Sequence, residues 1–173
     1  MDKATERKVE RMVRRCMNHL KKKDYELQIT KADVDRAVRL TKVVDKNFLG
    51  ATYGGSHVIQ INMGYWQISS KRRRFKEYDS YKKCPVIGSR SVGNIDEILW
   101  LIVAHEVSHH VQRSKGYRVG WLKKIHQKPH GEGFRTIYAL VRSGLINPML
   151  DASAEARLPS IGESYEMDFG IAA

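Results

Sequence analysis

Val9, Met12, Val13, Cys16, Met17 and Leu20 recur at three- and four-residue spacings with Arg and Lys between them, which predicts an amphipathic helix over residues 5–22. Val34, Ala37 and Val38 predict a second, shorter helix from Thr30 or Lys31 to about Leu40. The pattern then changes. Val43-Val44, Phe48 to Tyr53 and His57 to Asn62 read as strands, with Gly54-Gly55 joining the last two in a tight hairpin. Residues 69–90 form a charged loop. Asn94 and Glu97 read as a capping box ahead of Ile98, Leu99, Trp100, Leu101, Ile102 and Val103, an uninterrupted apolar run that predicts a helix buried on most faces and ending near Arg113 to Gly116. A connector over residues 115–129 leads to a helix from about Gly131 to Arg142, with Gly144 as its C-terminal stop. A short helix over Ala152 to Ala156 precedes an acidic stretch expected to be loosely held.

This alternation predicts an α+β fold, a small antiparallel sheet packed on the apolar helix and further helices. At 173 residues and 42% hydrophobic content, one domain with a sizeable core is expected over residues 1–150, followed by a tail over 151–173. No run of about 18 uncharged apolar residues occurs, so no membrane partner is expected. Residues 1–23 are charged throughout without an apolar core segment, and only Cys16 and Cys84 are present. These features favour a cytoplasmic or nucleoid-associated protein over a secreted disulfide scaffold, and two cysteines exclude a four-cysteine zinc ribbon.

Directly after the apolar run comes His105-Glu106-Val107-Ser108-His109. Two imidazoles four residues apart lie on one helix face and can reach a single cation. Glu106 projects about 100° around the axis, where it can activate a water without being a ligand. Burying an ionisable triplet unpaired would be costly, and a metal removes that cost. The pattern therefore predicts the helix-borne part of a hydrolytic zinc site.

Such a site takes a third protein ligand. His130, in Pro129-His130-Gly131-Glu132-Gly133-Phe134 at the mouth of the next helix, is the first candidate, with Gly131 allowing close backbone approach. Glu132 is a local rival. Asp151 and Glu155 are the alternatives of a glutamate-type site. His110 points about 100° away from the pair, and His126 reads as a surface residue. Tyr65, Tyr117, Arg118 and Tyr138 are oxyanion-stabilising candidates without geometry to choose among them.

The charge adds a partner. Lys plus Arg number 31 against 19 Asp plus Glu, for a net +12; residues 1–150 hold 30 of the basic and 14 of the acidic side chains. A basic body of this size favours polyanions. Arg72, Arg73, Arg74, Lys76, Lys82 and Lys83 interleave with Phe75, Tyr78 and Tyr81, and Arg118, Trp121, Lys123 and Lys124 lie in an acid-free loop before His130. Rings that stack beside charges that pair with phosphates predict a preference for single-stranded or junction DNA. The first helix adds Arg7, Lys8, Arg11, Arg14, Arg15 and Lys21 to Lys23.

The His-Glu-x-x-His helix followed by His130-Gly131-x-x-Phe134 resembles the SprT-like zinc metalloproteases, which include the Spartan type that digests DNA–protein crosslinks in DNA repair. Leu49 to Tyr53 and Val58 to Asn62 are similar to the strands that precede the metal helix in that family, so the likeness covers about residues 5–145. It implies a zincin-like domain, zinc on His105, His109 and His130, Glu106 as catalytic base, Phe134 as a packing aromatic, and DNA-bound proteins as substrates. The zinc ribbon of many bacterial and archaeal members has no counterpart in this sequence, so DNA contacts would come from the core domain. Two other readings remain open: a regulatory peptidase that cleaves a repressor, with Glu155 or Asp151 as third ligand, and a non-catalytic nucleic-acid-binding module with a structural metal.

Overall fold

The computed structural model describes residues 2–44, 58–62, 74–75, 84, 86–88, 90–123, 125 and 128–156. Helix α1, Lys3–Lys23, begins at Asp2, whose side chain accepts from the Thr5 amide, and buries Val9, Met12, Val13, Cys16, Met17 and Leu20, the stripe expected from its spacing. A 3-10 turn, Tyr25–Leu27, leads to Gln28, which takes a left-handed backbone conformation with φ 49°. Helix α2, Lys31–Arg39, opens with a reciprocal capping box between Thr30 and Asp33.

Strand β1, Thr41–Val44, pairs with β2, Ile59–Asn62, and the pairing is parallel, with Thr41 opposite Ile59 and Val43 opposite Ile61. This corrects the expected antiparallel sheet. Ile59 and Ile61, both buried, mark β2 as a strand, but such a pattern carries no direction. Direction depends on the connection: the 14 residues between Val44 and Ile59 fall in the range of about a dozen or more that a parallel return needs. The expected hairpin through Gly54-Gly55 lies outside the described residues. A second, antiparallel pair joins β3, Arg74–Phe75, to β4, Arg90–Ser91.

Helix α3, Ile95–Lys115, is the axis of the molecule and is buried on nearly every face from Glu97 to Gln112. Asn94 caps it by accepting from the Glu97 amide at 3.0 Å, while the Glu97 carboxylate reaches back to the Gly93 amide at 2.7 Å, one residue earlier than a standard box. A single turn, α4 (Gly120–Lys123), precedes α5, Glu132–Val141.

Gly144 does not end α5. The chain widens into one π turn, Arg142–Ile146, and continues as α6, Asn147–Glu155. Pro148, with no N–H to give, sits where the wide turn has already interrupted the regular ladder. A Cβ on Gly144 would lie 2.5 Å from His19 Nε2, so glycine serves close packing against α1 here rather than chain reversal. The short helix expected over residues 152–156 is the end of α6, and residues 151–155, within the segment set apart as a tail, tie back to the body. Ser153 donates to Glu97 Oε1 at 2.7 Å and Asp151 pairs with Arg90.

One hydrophobic core runs from Val9 on α1 to Leu150 on α6. α1 packs against α2, β1, α3 and α5, while α3 also contacts β2 and the π turn. The result is mixed and mostly helical, compatible with α+β. Among the described residues no helix is long and apolar enough to cross a membrane.

Candidate metal centre

His105 and His109 lie one turn apart on α3 and His130 comes from the turn just before α5. Their Nε2 atoms form a near-equilateral triangle: 3.2 Å from His109 to His105, 3.0 Å from His109 to His130, and 3.2 Å from His130 to His105. An ion bonded to each nitrogen at about 2.0–2.1 Å with tetrahedral angles requires edges of about 3.3–3.4 Å. The triangle is within a few tenths of an ångström of that requirement.

Hydrogen bonding alone does not account for this arrangement. In a three-membered ring of nitrogens, donors and acceptors cannot alternate, so at least one pair must face lone pair to lone pair or N–H to N–H. A cation at the convergence of three lone pairs removes that conflict. His105 and His109 are buried and His130 is half-buried, so the site opens toward solvent on the His130 side.

The protonation state suits ligation. Burial, and after it the neighbouring His109, His130 and Arg142, holds the His105 imidazole well below its ordinary pKa. Burial and then the His130 and Arg113 charges push His109 down to about 3. His130 is lowered by burial and by Arg113. All three present neutral nitrogens at pH 7, the form that binds metal. Three neutral imidazoles, two buried and one half-buried, converging in this way form a group that could hold a metal ion.

Local sequence explains why these residues meet. Phe134 on α5 lies against all three rings, with centroids 4.8 Å from His105, 4.2 Å from His109 and 5.1 Å from His130. Gln112 Nε2 donates to the Lys128 carbonyl at 2.8 Å and the Gly131 amide donates to the same oxygen at 3.0 Å, which fixes the turn carrying His130. A Cβ on Gly131 would lie 2.7 Å from Lys128 Cβ. The glycine thus lets this turn close, rather than bringing backbone to the metal as its position beside His130 suggested.

Glu106 is buried beside His105 on the same helix. His110 is also buried but takes no part in the triad, in keeping with its rotation away from the pair. Glu132 is exposed, Asp151 is engaged by Arg90, and Glu155 is exposed at the end of α6. Among the described residues only the three histidines form a group able to hold a metal.

Of the basic and aromatic candidates for nucleic acid, Arg118 and Lys123 are exposed, and Trp121 is half-buried with part of its ring packed on the core. Arg74 lies on β3. Arg72, Arg73, Lys76, Lys82, Lys83 and Lys124 lie outside the described residues, as does Tyr65. Tyr117 is 74% exposed, whereas Tyr138 is fully buried.

Two residues near the site were not read from the sequence as part of it. Arg113, four past His109, brings its charge to bear on His109 and His130. Arg142 is 1% exposed and its guanidinium lies 5.4 Å from the Tyr138 ring centroid. Helical spacing held the signal in both cases: 105, 109 and 113 share one face of α3, and 134 and 138 share one face of α5 that Arg142 continues at the start of the π turn. Against protein-family models, the curated proteins and the solved structures, this chain finds no match.

Proposed function

We propose that the protein is a zinc-dependent endopeptidase of zincin-like fold that acts on proteins associated with DNA. The observation that carries the reading is the triangle of Nε2 atoms 3.0–3.2 Å apart, with Glu106 buried next to one of them in sequence. A divalent ion held by His105, His109 and His130 supplies the Lewis acidity that makes water a nucleophile near neutral pH. Glu106 is the general base: its carboxylate takes a proton from the attacking water and returns it to the leaving amine. The burial of His105 and His109 keeps bulk water from two sides of the reaction, and the half-exposed His130 side is where a peptide enters.

Zinc is the metal that a set of three neutral nitrogen donors favours. The excess of cations in residues 1–150, with Arg118 and Lys123 exposed in the loop that leads to His130, supports DNA as the surface on which substrates are met. A nucleoid-associated location follows from that partner. The contact between Asp151 and Arg90 and the exposure of Glu155 favour histidine over a carboxylate as third ligand.

The test is digestion of a DNA-bound protein substrate by the wild type and by Glu106→Gln, with zinc quantified in both. The variant is expected to keep zinc and to lose about 10²–10⁴-fold in turnover, the usual contribution of a general acid–base group. Undiminished turnover by Glu106→Gln eliminates the mechanism, and wild type that holds zinc without cutting any substrate leaves a structural metal instead.

A further inference from the structure

A chain of polar contacts runs from the Val86 carbonyl to helix α3. Asn147 Nδ2 donates to the Val86 carbonyl at 3.0 Å. Asn147 Oδ1 accepts from Arg142 Nε at 3.0 Å. The Arg142 guanidinium donates to the Tyr138 hydroxyl at 3.1 Å, and that hydroxyl donates to the Leu101 carbonyl at 3.4 Å. Leu101 is one helical turn before His105, so its carbonyl is the one that accepts the His105 amide in the ladder of α3. The Tyr138 ring meets the His105 imidazole edge-on, centroids 5.4 Å apart and planes at 78°.

The π turn makes this chain possible. The Asn147 amide donates to the Arg142 carbonyl, an i to i+5 bond. In a regular helix residue i+5 lies about 140° around the axis from residue i; in the widened turn it stacks beneath it. Arg142 can therefore face Tyr138 four residues before it and Asn147 five residues after it at the same time. Single-turn π segments recur where a helix must aim a particular side chain.

A guanidinium that is 1% exposed is costly to bury, and a fold that needed only packing there would be served by Leu or Met. Resting on the metal-site reading above, we infer that Arg142, acting through Tyr138, is a positioning residue for the His105 ligand. Arg142 orients the Tyr138 hydroxyl. Tyr138 then holds both the His105 ring, by its edge, and the backbone from which that ring projects. Together with Phe134 this leaves the His105 imidazole little freedom to rotate out of the three-nitrogen triangle.

The experiment loads the full chain with cobalt(II) as a spectroscopic stand-in for zinc. Wild type, Tyr138→Phe, Arg142→Lys and the exposed control Thr136→Ala are compared by metal titration, by the cobalt ligand-field spectrum, and by thermal unfolding without metal. Tyr138→Phe keeps the ring and deletes the hydroxyl link. It is expected to stay folded, to bind metal about 10–100-fold more weakly, as loss of an outer contact to a ligand does, and to show a shifted spectrum. Arg142→Lys keeps the charge without the planar fork and is expected to shift the spectrum in the same direction by less. Thr136→Ala is expected to match wild type.

Folded Tyr138→Phe and Arg142→Lys with wild-type affinity and spectrum overturn the inference while leaving the metal site intact. Loss of the metal-free fold in both variants also overturns it, since the pair would then be structural. Wild type that takes up no cobalt or zinc overturns the metal site itself, and the positioning role with it.

Discussion

At the residue scale, three nitrogens from two segments 21 residues apart in sequence come within 3.0–3.2 Å of one another. The 105/109 half of this arrangement was legible because helical periodicity alone brings i and i+4 together. The 130 half was legible only as a chemically suitable residue at a helix mouth; its convergence depends on the Lys128–Gly131 turn and on the Phe134 ring, which spacing does not reveal. His110 shows the converse. It is as buried as His109 and adjacent to it, yet the 100° step of the helix keeps it out of the triad. His130→Ala is therefore expected to lower zinc affinity more than about a hundredfold, beyond the 10–100-fold typical of outer contacts. His110→Ala and Glu155→Gln are expected to bind stoichiometric zinc as wild type does. Competition titration with a chromophoric chelator measures all three, and retained zinc in His130→Ala would remove the third ligand from the account.

At the scale of elements, helices were legible to within about two residues, α1 and α2 from an apolar stripe and α3 from an apolar run behind a cap. Strand direction was not, because period-two burial of Ile59 and Ile61 is identical in parallel and antiparallel pairs. The continuation of α5 through Gly144 and Pro148 was hidden for another reason. Both residues signal a helix end locally, and tertiary packing overrides them: His19 Nε2 donates to the Leu140 carbonyl at 3.2 Å, giving a partner to a backbone oxygen beside the widened turn. The same contact leaves no room at Gly144. Gly144→Ala is expected to destabilise the protein by about 1–3 kcal/mol, the usual cost of forcing an extra methyl into a packed site, although alanine is the better helix former. Urea unfolding of Gly144→Ala, His19→Ala and the double variant checks this. Because the clash and the hydrogen bond share His19, the double variant is expected to be more stable than the sum of the two single losses implies. Strict additivity would mean that the methyl is accommodated elsewhere.

At the scale of the whole molecule, the N-terminal helices and the metal helix are joined by more than apolar contact. Lys115, 5% exposed at the end of α3, donates from Nζ to Asp33 Oδ2 at 2.7 Å and to the Gln28 carbonyl at 2.9 Å. The left-handed conformation of Gln28 accompanies this arrangement. Asp33 also accepts from the Thr30 amide and hydroxyl, each at 2.8 Å. Burial tends to raise the Asp33 pKa, but the bonds from Lys115 and Thr30 outweigh it and bring the group from 3.8 down to about 2. The sign of the pH effect follows. A carboxylate with a depressed folded-state pKa contributes its full stabilisation above the unfolded value, near pH 4, and loses it as the pH falls toward 2. With Asp33 partly open to solvent, which screens the pairing, the contribution is on the order of 1 kcal/mol. The difference in unfolding free energy between wild type and Asp33→Asn is expected to be level from about pH 7 to 5 and to shrink between about pH 4 and 2. Lys115→Met, which removes the cation but keeps the apolar stem, should flatten the same acid limb in wild-type Asp33. Since Lys115 stands six residues past His109, the nearer ligand, about 9 Å along the helix, and its partner Asp33 lies on α2, neither change should alter zinc affinity at neutral pH. A loss of zinc in folded Asp33→Asn would show instead that the joint between α2 and α3 and the metal site form one cooperative unit.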